Sequence, residues 1–93
     1  MNEVQLNIEG NKGAFYIASE GTTNALMSFV FAGEHQIIID HTEVRPEFNG
    51  KGYGKALVAE AVRYARENGI KIIPLCPFAK KVFDKTPEFQ DVL

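Results

Sequence analysis

Three glycines at alternate positions, Gly50, Gly52 and Gly54, lie where a beta-rich half of the chain gives way to a helical pattern. Glycine lets backbone amides approach a ligand closely, because it carries no side chain. A helix that begins among these glycines adds N–H groups without intrahelical partners and the positive end of its dipole. A loop of this kind binds anions, typically phosphates.

The spacing of the glycines excludes two common phosphate-binding loops. The loop of triphosphate-binding enzymes needs G-x-x-x-x-G-K-[ST], but Gly50 to Gly54 is one residue too short, and Ala56 stands where a hydroxyl must hold magnesium. The dinucleotide fingerprint needs G-x-G-x-x-G, whereas this loop reads G-x-G-x-G. Neither type of nucleotide is therefore the predicted ligand.

Cys76 is a candidate for acid or nucleophilic chemistry. It precedes Pro77, which suits the first position of a short helix, so Cys76 is the predicted N-cap. Lys80 and Lys81 follow within that helix, and a positive environment lowers the pKa of a thiol. A packed thiol without a role is the alternative, since free cysteines are often buried.

His41 and Glu43 are candidate general bases near the end of a predicted strand. If that strand is regular, its alternation places both on the same face as Ile37 and Ile39. A structural histidine and a solvated carboxylate are the alternatives. No metal is expected, because one cysteine and two distant histidines cannot supply four ligands.

Hydrophobic periodicity predicts the strands that position these residues. Residues 4–8 alternate as in a strand with one buried face, and residues 14–19 return as the second strand of a hairpin. Residues 25–32 form a nearly continuous apolar run, which is typical of a central strand covered on both faces. Residues 36–44 form a fourth, also central strand that leads into the glycine loop. Four antiparallel strands are therefore expected first.

From Gly54 onward, a helical apolar stripe predicts a long helix that ends at Asn68-Gly69; its members are Leu57, Val58, Ala61, Val62 and Ala65. Residues 70–75 then read as a fifth strand, parallel to the fourth through a right-handed crossover. A short C-terminal helix follows Cys76. The expected fold class is mixed α/β: a mostly antiparallel sheet of about five strands with a parallel β4-α-β5 unit.

The 93 residues, 45% of them hydrophobic, predict a single domain over residues 1–93. No apolar run reaches the roughly 18 residues of a membrane span, and the N-terminus lacks a signal pattern, so we expect a cytoplasmic protein without membrane contact. The net charge of −2 argues against a nucleic acid partner. Yet residues 45–93 carry nine basic and six acidic residues, so positive charge accumulates on the half with the loop.

The strand end Val44-Arg45-Pro46, followed by Asn49-Gly50-Lys51-Gly52-Tyr53-Gly54, resembles the pyrophosphate loop [QR]-x-x-G-x-[GA] of the GCN5-related N-acetyltransferases. The order of strands, glycine loop, long helix, strand and short helix is also similar to that family. His41-Thr42-Glu43-Val44 and Pro74-Leu75-Cys76-Pro77-Phe78 resemble a subgroup of small, stand-alone members. The resemblance covers about residues 14–89.

This resemblance implies acetyl-CoA, or coenzyme A, as the ligand. Backbone amides of Gly50 to Gly54 and Lys55 would bind the pyrophosphate, and the strand end from Thr42 through Val44 to Arg45 would pair with the pantetheine arm. Asn49 stands where the family has Gln or Arg. The positive charges of Lys51, Lys55, Lys80 and Lys81 would attract the phosphates. Tyr53 would stack on the cofactor, or alternatively pack at the start of the helix.

The chain lacks segments that wall the acceptor site in larger members of that family, namely helices between the first strands and a hairpin after the last helix. The acceptor side is therefore expected to be open, which suits a protein or peptide amine or a partner subunit. The family's frequent tyrosine acid is also missing, since Phe78 and Phe83 are the aromatic residues of the last helix.

Two functions follow. The first is an acetyl-CoA-dependent N-acetyltransferase acting on an amine, with Cys76 as acid or acyl acceptor and His41 or Glu43 as base. The second is a non-catalytic acyl-CoA-binding module that docks a partner protein. The acceptor and the oligomeric state are left open.

Overall fold

The structure is a computed structural model that describes residues 3–93. Its strands are β1 (Gln5–Glu9), β2 (Lys12–Ser19), β3 (Thr22–Phe31), β4 (Gln36–Val44) and β5 (Lys71–Pro74). Its helices are α1 (Tyr53–Asn68) and α2 (Pro77–Lys85), and two 3-10 helices cover Pro46–Phe48 and Pro87–Val92. The second 3-10 helix was not predicted, because six residues after a proline are too few for a periodic apolar pattern.

The five strands form one sheet in the order β1-β2-β3-β4-β5. Neighbours from β1 to β4 are antiparallel, and β4 pairs with β5 in parallel. Because α1 connects the two parallel strands, the predicted mixed sheet with its β4-α-β5 unit is confirmed. The predicted end of α1 is also confirmed, since Gly69 takes the left-handed conformation, with φ of 65°, and donates its N–H to Ala65.

Both helices pack on one face of the sheet, here called the helix face. Its buried strand residues are Phe15, Ile17, Met27, Phe29, Ile37, Ile39 and Ile72. The predicted stripe of α1, from Leu57 to Ala65, is buried against them, and Ala79 and Phe83 of α2 join the same core. Burying each large apolar side chain stabilises the fold by roughly 1.5–3 kcal/mol.

The opposite, outer face of the sheet is only partly covered. Leu26, Ser28 and Val30 point there from β3 and are half-buried. The prediction that β3 is covered on both faces is therefore wrong. The apolar run alone could not reveal this, because a strand with one half-buried face can carry the same residues as a fully buried one.

Strand β1 departs from prediction in the same way. All five of its residues are exposed, including Leu6 at 38% and Ile8 at 42%. The alternation correctly predicts a strand and its hairpin with β2, but the predicted burial of one face is wrong. Helix α1 lies over β2 to β5, so the side chains of β1 extend beyond the core.

A β-bulge interrupts β4. Ser28 of β3 lies opposite His41, while the next residue, Phe29, lies opposite Ile39, so Asp40 is the extra residue. The bulge reverses the alternation beyond Asp40. His41 therefore lies on the outer face, opposite Ile37 and Ile39, and the prediction that the three share a face is wrong.

Gly13 of β2 allows a close approach of the buried Phe29 ring. A Cβ at Gly13 would lie 2.5 Å from Phe29 Cζ, and Phe29 is held in place by the rings of Phe15, Phe31 and Tyr64. We expect Gly13→Ala to lower the free energy of unfolding by about 1–3 kcal/mol, because the overpacked core must shift. Urea denaturation measures this.

Gly54→Ala is the matched control for Gly13→Ala. The added methyl group also meets a phenylalanine ring, that of Phe78, but this ring is 41% exposed and can rotate outward. Gly54→Ala should therefore lower the free energy of unfolding clearly less than Gly13→Ala does. Equal losses of stability in the two variants would contradict the packing argument.

Two further properties concern the described residues as a whole. Within residues 3–93, no helix has the length and apolarity that crossing a membrane requires. In the same part of the chain, no three His, Cys, Asp or Glu side chains are grouped as a metal site would need.

Candidate functional site

The glycine loop places unpaired amides at the start of α1. Gly50 and Gly52 have φ of 82° and 79°, which is the left-handed region that glycine favours. Gly52 is the N-cap of α1, with no side-chain cap and no acidic residue in the first turn. The first helical bond runs from Ala56 N–H to Gly52 O at 3.0 Å, so earlier N–H groups in that turn have no intrahelical partner.

The three glycines of the loop have different structural roles. A Cβ at Gly50 or Gly52 would meet no atom of the described chain within 4 Å, so a ligand can reach the backbone there. A Cβ at Gly54 would overlap the ring of Phe78 on α2. Gly54 therefore lets α1 and α2 pack closely, whereas Gly50 and Gly52 leave the loop accessible.

A pocket of about 260 Å³ adjoins these amides, and we call it the loop pocket. Its lining residues are Val44, Phe48, Asn49, Gly50, Gly52, Tyr53, Gly54, Lys55, Phe78 and Val82. Seven predicted site residues are among them. The other eight do not line it: Thr42, Arg45, Lys51, Lys80, Lys81, Cys76, His41 and Glu43.

Several lining residues also have structural contacts. Tyr53 is buried, and its ring stacks on Phe48 with centroids 5.4 Å apart, so it packs at the start of the helix. Phe78 and Val82 were not predicted in the site. The periodicity of α2 marked them as apolar, but only the packing of α2 beside the loop brings them to the pocket.

The strands β4 and β5 part before the end of β4. Their last pair is Ile39 with Pro74, and the next two amides, of Leu75 and Cys76, both donate to Ile39 O at 3.0 and 3.1 Å. Beyond this point β4 continues to Val44 while the chain after β5 turns into α2. Within residues 3–93, no strand therefore lies beside the edge of β4 from residue 40 to 44 on this side.

Cys76 lies at the point where the two strands part. It is the N-cap of α2, as predicted, and is 6% exposed. Its S–H donates to Thr42 Oγ1 on β4, 3.3 Å away. The bulge is the reason for this contact, because it turns Thr42 toward the helix face. Cys76 and Thr42 thus bridge the gap between the strands.

The environment of Cys76 favours its thiolate. Burial raises the pKa of the thiol, but hydrogen bonds from the Thr42 hydroxyl and from the amides of Ala79, Phe78 and Thr42 outweigh burial and lower the pKa below its ordinary value. No α2 amide makes a full capping bond to the sulfur. Several weak hydrogen-bond donors therefore lower the pKa of Cys76. The predicted cause, the charges of Lys80 and Lys81, does not contribute, because both side chains are exposed.

We expect Thr42→Val to raise the pKa of Cys76, because valine keeps the shape of threonine but removes the donor to the thiolate. The ultraviolet absorbance of the thiolate, followed against pH, gives the titration midpoint. In the unaltered protein this midpoint should lie below that of a free cysteine. Ser28→Ala, which removes a hydroxyl bonded to Asp40 on the outer face, should leave it unchanged. A midpoint unaffected by Thr42→Val would contradict the assignment of this hydrogen bond.

His41 and Glu43 form an exposed pair on the outer face, with 3.3 Å between His41 Nε2 and Glu43 Oε1. The structure thus brings the two predicted bases together but separates them from the helix face. Arg45 is paired with Glu47 at 2.8 Å.

A second pocket, of about 290 Å³, lies at the strand ends, and we call it the strand-end pocket. Its lining residues are Thr23, Asn24, Ala25, Leu26, Glu43, Val44, Arg45 and Pro46. Val44 lines both pockets. No sequence pattern predicted this pocket, because it forms from the pairing of β3 with β4 beyond the bulge.

Residues 14–92 match the sequence profile of the GCN5-related N-acetyltransferases. The chain belongs to this family. The solution structure of a GCN5-like protein from Staphylococcus aureus is 40% identical, with a TM-score of 0.73, over 95% of this chain and 85% of that one. The family resemblance noted in the sequence is thereby confirmed.

Two N-acetyltransferases of lower sequence identity share the fold. A ribosomal-protein-alanine N-acetyltransferase from Brucella melitensis is 21% identical, with a TM-score of 0.68, over 81% of this chain and 62% of its own. A ribosomal-protein-S18-alanine N-acetyltransferase from Escherichia coli is 13% identical, with a TM-score of 0.69, over 84% and 53%. No curated protein matches the chain significantly. Acetyltransferases of this family take the acyl group from an acyl-CoA donor.

Proposed function

We propose that this chain is an acetyl-CoA-dependent N-acetyltransferase that binds its donor between the glycine loop and the free edge of β4. One observation carries the proposal. The thiol of Cys76 lies 3.3 Å from Thr42 Oγ1 at the point where β4 and β5 part, and Phe78, two residues further along the chain, lines the loop pocket. This position supports the proposal, because a donor whose thioester reached that point of the cleft would meet a polar, ionisable group.

The glycine loop is the proposed pyrophosphate site. Open backbone at Gly50 and Gly52 and the unpartnered amides of the first turn of α1 suit a bound anion. Lys55 and Asn49 line the same pocket and would add a charge and an amide. Lys51, Lys80 and Lys81 are exposed and would contribute through the local positive potential.

The edge of β4 from Thr42 to Arg45 is the proposed site for the pantetheine arm. In the described part of the chain this edge has no neighbouring strand beyond the pair of Ile39 with Pro74, so its backbone groups can bond to the amides of the arm. Val44 lines the loop pocket and supplies an apolar wall beside it.

Cys76 is proposed to act in one of two ways. As an acid, its thiol would give a proton to the departing thiolate of coenzyme A while the acceptor amine bonds to the acetyl carbon. As an acyl acceptor, its thiolate would bond to the acetyl carbon as the bond to coenzyme A sulfur breaks, and the amine would then take the acetyl group and release the thiolate. The donors around Cys76 favour the thiolate that the second route needs.

The acceptor amine is proposed to approach from the outer face. Glu43 and His41 lie on the outer face as an exposed pair, and Glu43 also lines the strand-end pocket, so either can take the proton that the attacking ammonium must lose. The half-buried residues of this face leave it open to a large acceptor. A protein or peptide amine therefore suits the site better than an enclosed small molecule.

The rival function is a non-catalytic acyl-CoA-binding module. The open outer face favours it, as do the residues of α2, whose aromatic side chains are phenylalanines without an acidic proton. In this case the donor would occupy the same cleft, and the outer face would dock a partner protein.

Turnover separates the two functions. The protein is incubated with acetyl-CoA and a library of peptides that differ in their N-terminal residue and lysine content, and free thiol release is followed. For a subset of peptides, we expect thiol to be released faster than in the same mixture of protein and acetyl-CoA without peptide. Tight acetyl-CoA binding without turnover on any peptide would favour the binding module.

A further inference from the structure

Strand β1 is an open edge of the sheet that residues 3–93 form. It pairs with β2 through five residues, from Gln5 opposite Tyr16 to Glu9 opposite Lys12, without a register shift. It contains no proline, no lysine and no bulge, which are the features that natural edge strands use to prevent pairing with another chain.

The opposite edge of the sheet, β5, carries such features. It has four residues and ends at Pro74, which cannot donate a backbone hydrogen bond. Lys71 at its start donates to the carbonyl of Asp91, so the C-terminal segment covers that end. The contrast between the two edges indicates that β1 is available to pair with a strand of another chain.

The side chains of β1 gain little from the fold as it stands. All five are exposed, and Leu6 and Ile8 point to the helix face beyond the cover of α1. Ordering the backbone of a strand costs roughly 1–2 kcal/mol per residue, and these side chains return little burial in exchange. A second surface beside β1 would supply the missing burial.

We propose that β1 pairs antiparallel with β1 of a second copy of this chain, about a two-fold axis at Asn7. The two five-stranded sheets would then be continuous across the axis. The cleft between β4 and β5 lies near the far edge of each sheet and would stay open in this dimer.

The sequence of β1 is complementary to itself in this register. Leu6 of one copy lies opposite Ile8 of the other, so the exposed apolar residues of both copies meet on the helix face. On the outer face, Gln5 lies opposite Glu9. Its Oε1 already accepts from the Tyr16 hydroxyl at 3.3 Å, and its amide N–H₂ can donate to the carboxylate of Glu9 in the second copy.

Like charges do not meet in this register, because Asn7 faces Asn7 and each Glu9 faces an amide. A one-residue slip would place the apolar residues of one copy opposite polar residues of the other, and so lose the apolar contact. The complementarity is what favours a second copy over an unrelated strand.

Sedimentation equilibrium tests the proposal over about 1 µM to 1 mM, since a small interface associates weakly. The mass should rise from the 10.3 kDa of one chain toward twice that value. Asn7→Lys and Asn7→Asp each place like charges opposite one another on the axis, so each alone should stay at the mass of one chain. Their equimolar mixture should recover the rise, because Lys then faces Asp.

Leu93→Lys is the control, since it adds a charge at another exposed apolar residue and should dimerise like the unaltered protein. Because Asn7 is exposed, far-ultraviolet circular dichroism should show all variants folded. A mass of one chain for the unaltered protein across the whole range would overturn the proposal. A dimer of Asn7→Lys alone, or a mixture that stays at the mass of one chain, would overturn the register.

Discussion

Gly52→Val should abolish measurable acetyl-CoA binding while the protein stays folded. Gly52 has φ of 79° and open space where a Cβ would stand, and it precedes the unpartnered amides of α1. A valine side chain would fill the approach that the pyrophosphate needs. We expect the affinity to fall by at least about 100-fold, which corresponds to roughly 2.7 kcal/mol. Isothermal titration calorimetry measures it.

The same substitution strains the backbone, so a control must separate strain from blocked binding. Gly21, in the turn between β2 and β3, has nearly the same φ, 78°, and a Cβ there would also meet no described atom within 4 Å. Gly21→Val should lose a similar amount of stability, of the order of 1–3 kcal/mol, and keep its affinity. Intact acetyl-CoA affinity in Gly52→Val, or an equal loss in Gly21→Val, would refute the assignment of the loop.

Cys76→Ala should lower kcat by about 10²- to 10⁴-fold, the range expected when an acid or base is removed. The dissociation constant of acetyl-CoA should stay close to that of the unaltered protein, because Cys76 is placed at the reacting end of the cleft rather than at the phosphates. Steady-state kinetics on an active peptide, together with calorimetry, measures both quantities. Unchanged kcat would show that Cys76 is a packed thiol.

Mass spectrometry of the intact protein separates the two roles of Cys76. If the thiolate accepts the acetyl group, incubation with acetyl-CoA should add about 42 Da to the unaltered protein, because one acetyl group replaces the hydrogen of the thiol. Cys76→Ala should lose this adduct, because alanine has no nucleophile that could accept the acetyl group. An adduct that persists in Cys76→Ala would place it on another residue, whereas reduced turnover without any adduct would favour the acid.

Periodicity predicted the architecture well because the core is one-sided and regular. The apolar stripe from Leu57 to Ala65 predicted α1, and the turn at Gly69 predicted its end. The spacing of Gly50 and Gly52 was enough to locate the loop. Each of these signals comes from residues close together in the chain, so it can be read directly from the sequence.

The errors concern features that arise between strands. The bulge at Asp40 depends on how β3 and β4 pair, and it moved His41 to the outer face while turning Thr42 toward Cys76. The exposure of β1 depends on how far α1 extends across the sheet. Neither the bulge nor the extent of α1 leaves a pattern within a single segment. The surroundings of His41 and Cys76 could therefore not be placed from the sequence.

The backbone of the proposed donor site is observed most directly by amide NMR during titration with acetyl-CoA. We predict large, saturable shifts for the amides of Gly50, Gly52 and Lys55 and for Thr42 on β4. Smaller changes are expected for Asn7 at the other edge of the sheet. Absence of shifts, or shifts confined to residues outside the loop pocket and the free edge of β4, would contradict the proposed donor site.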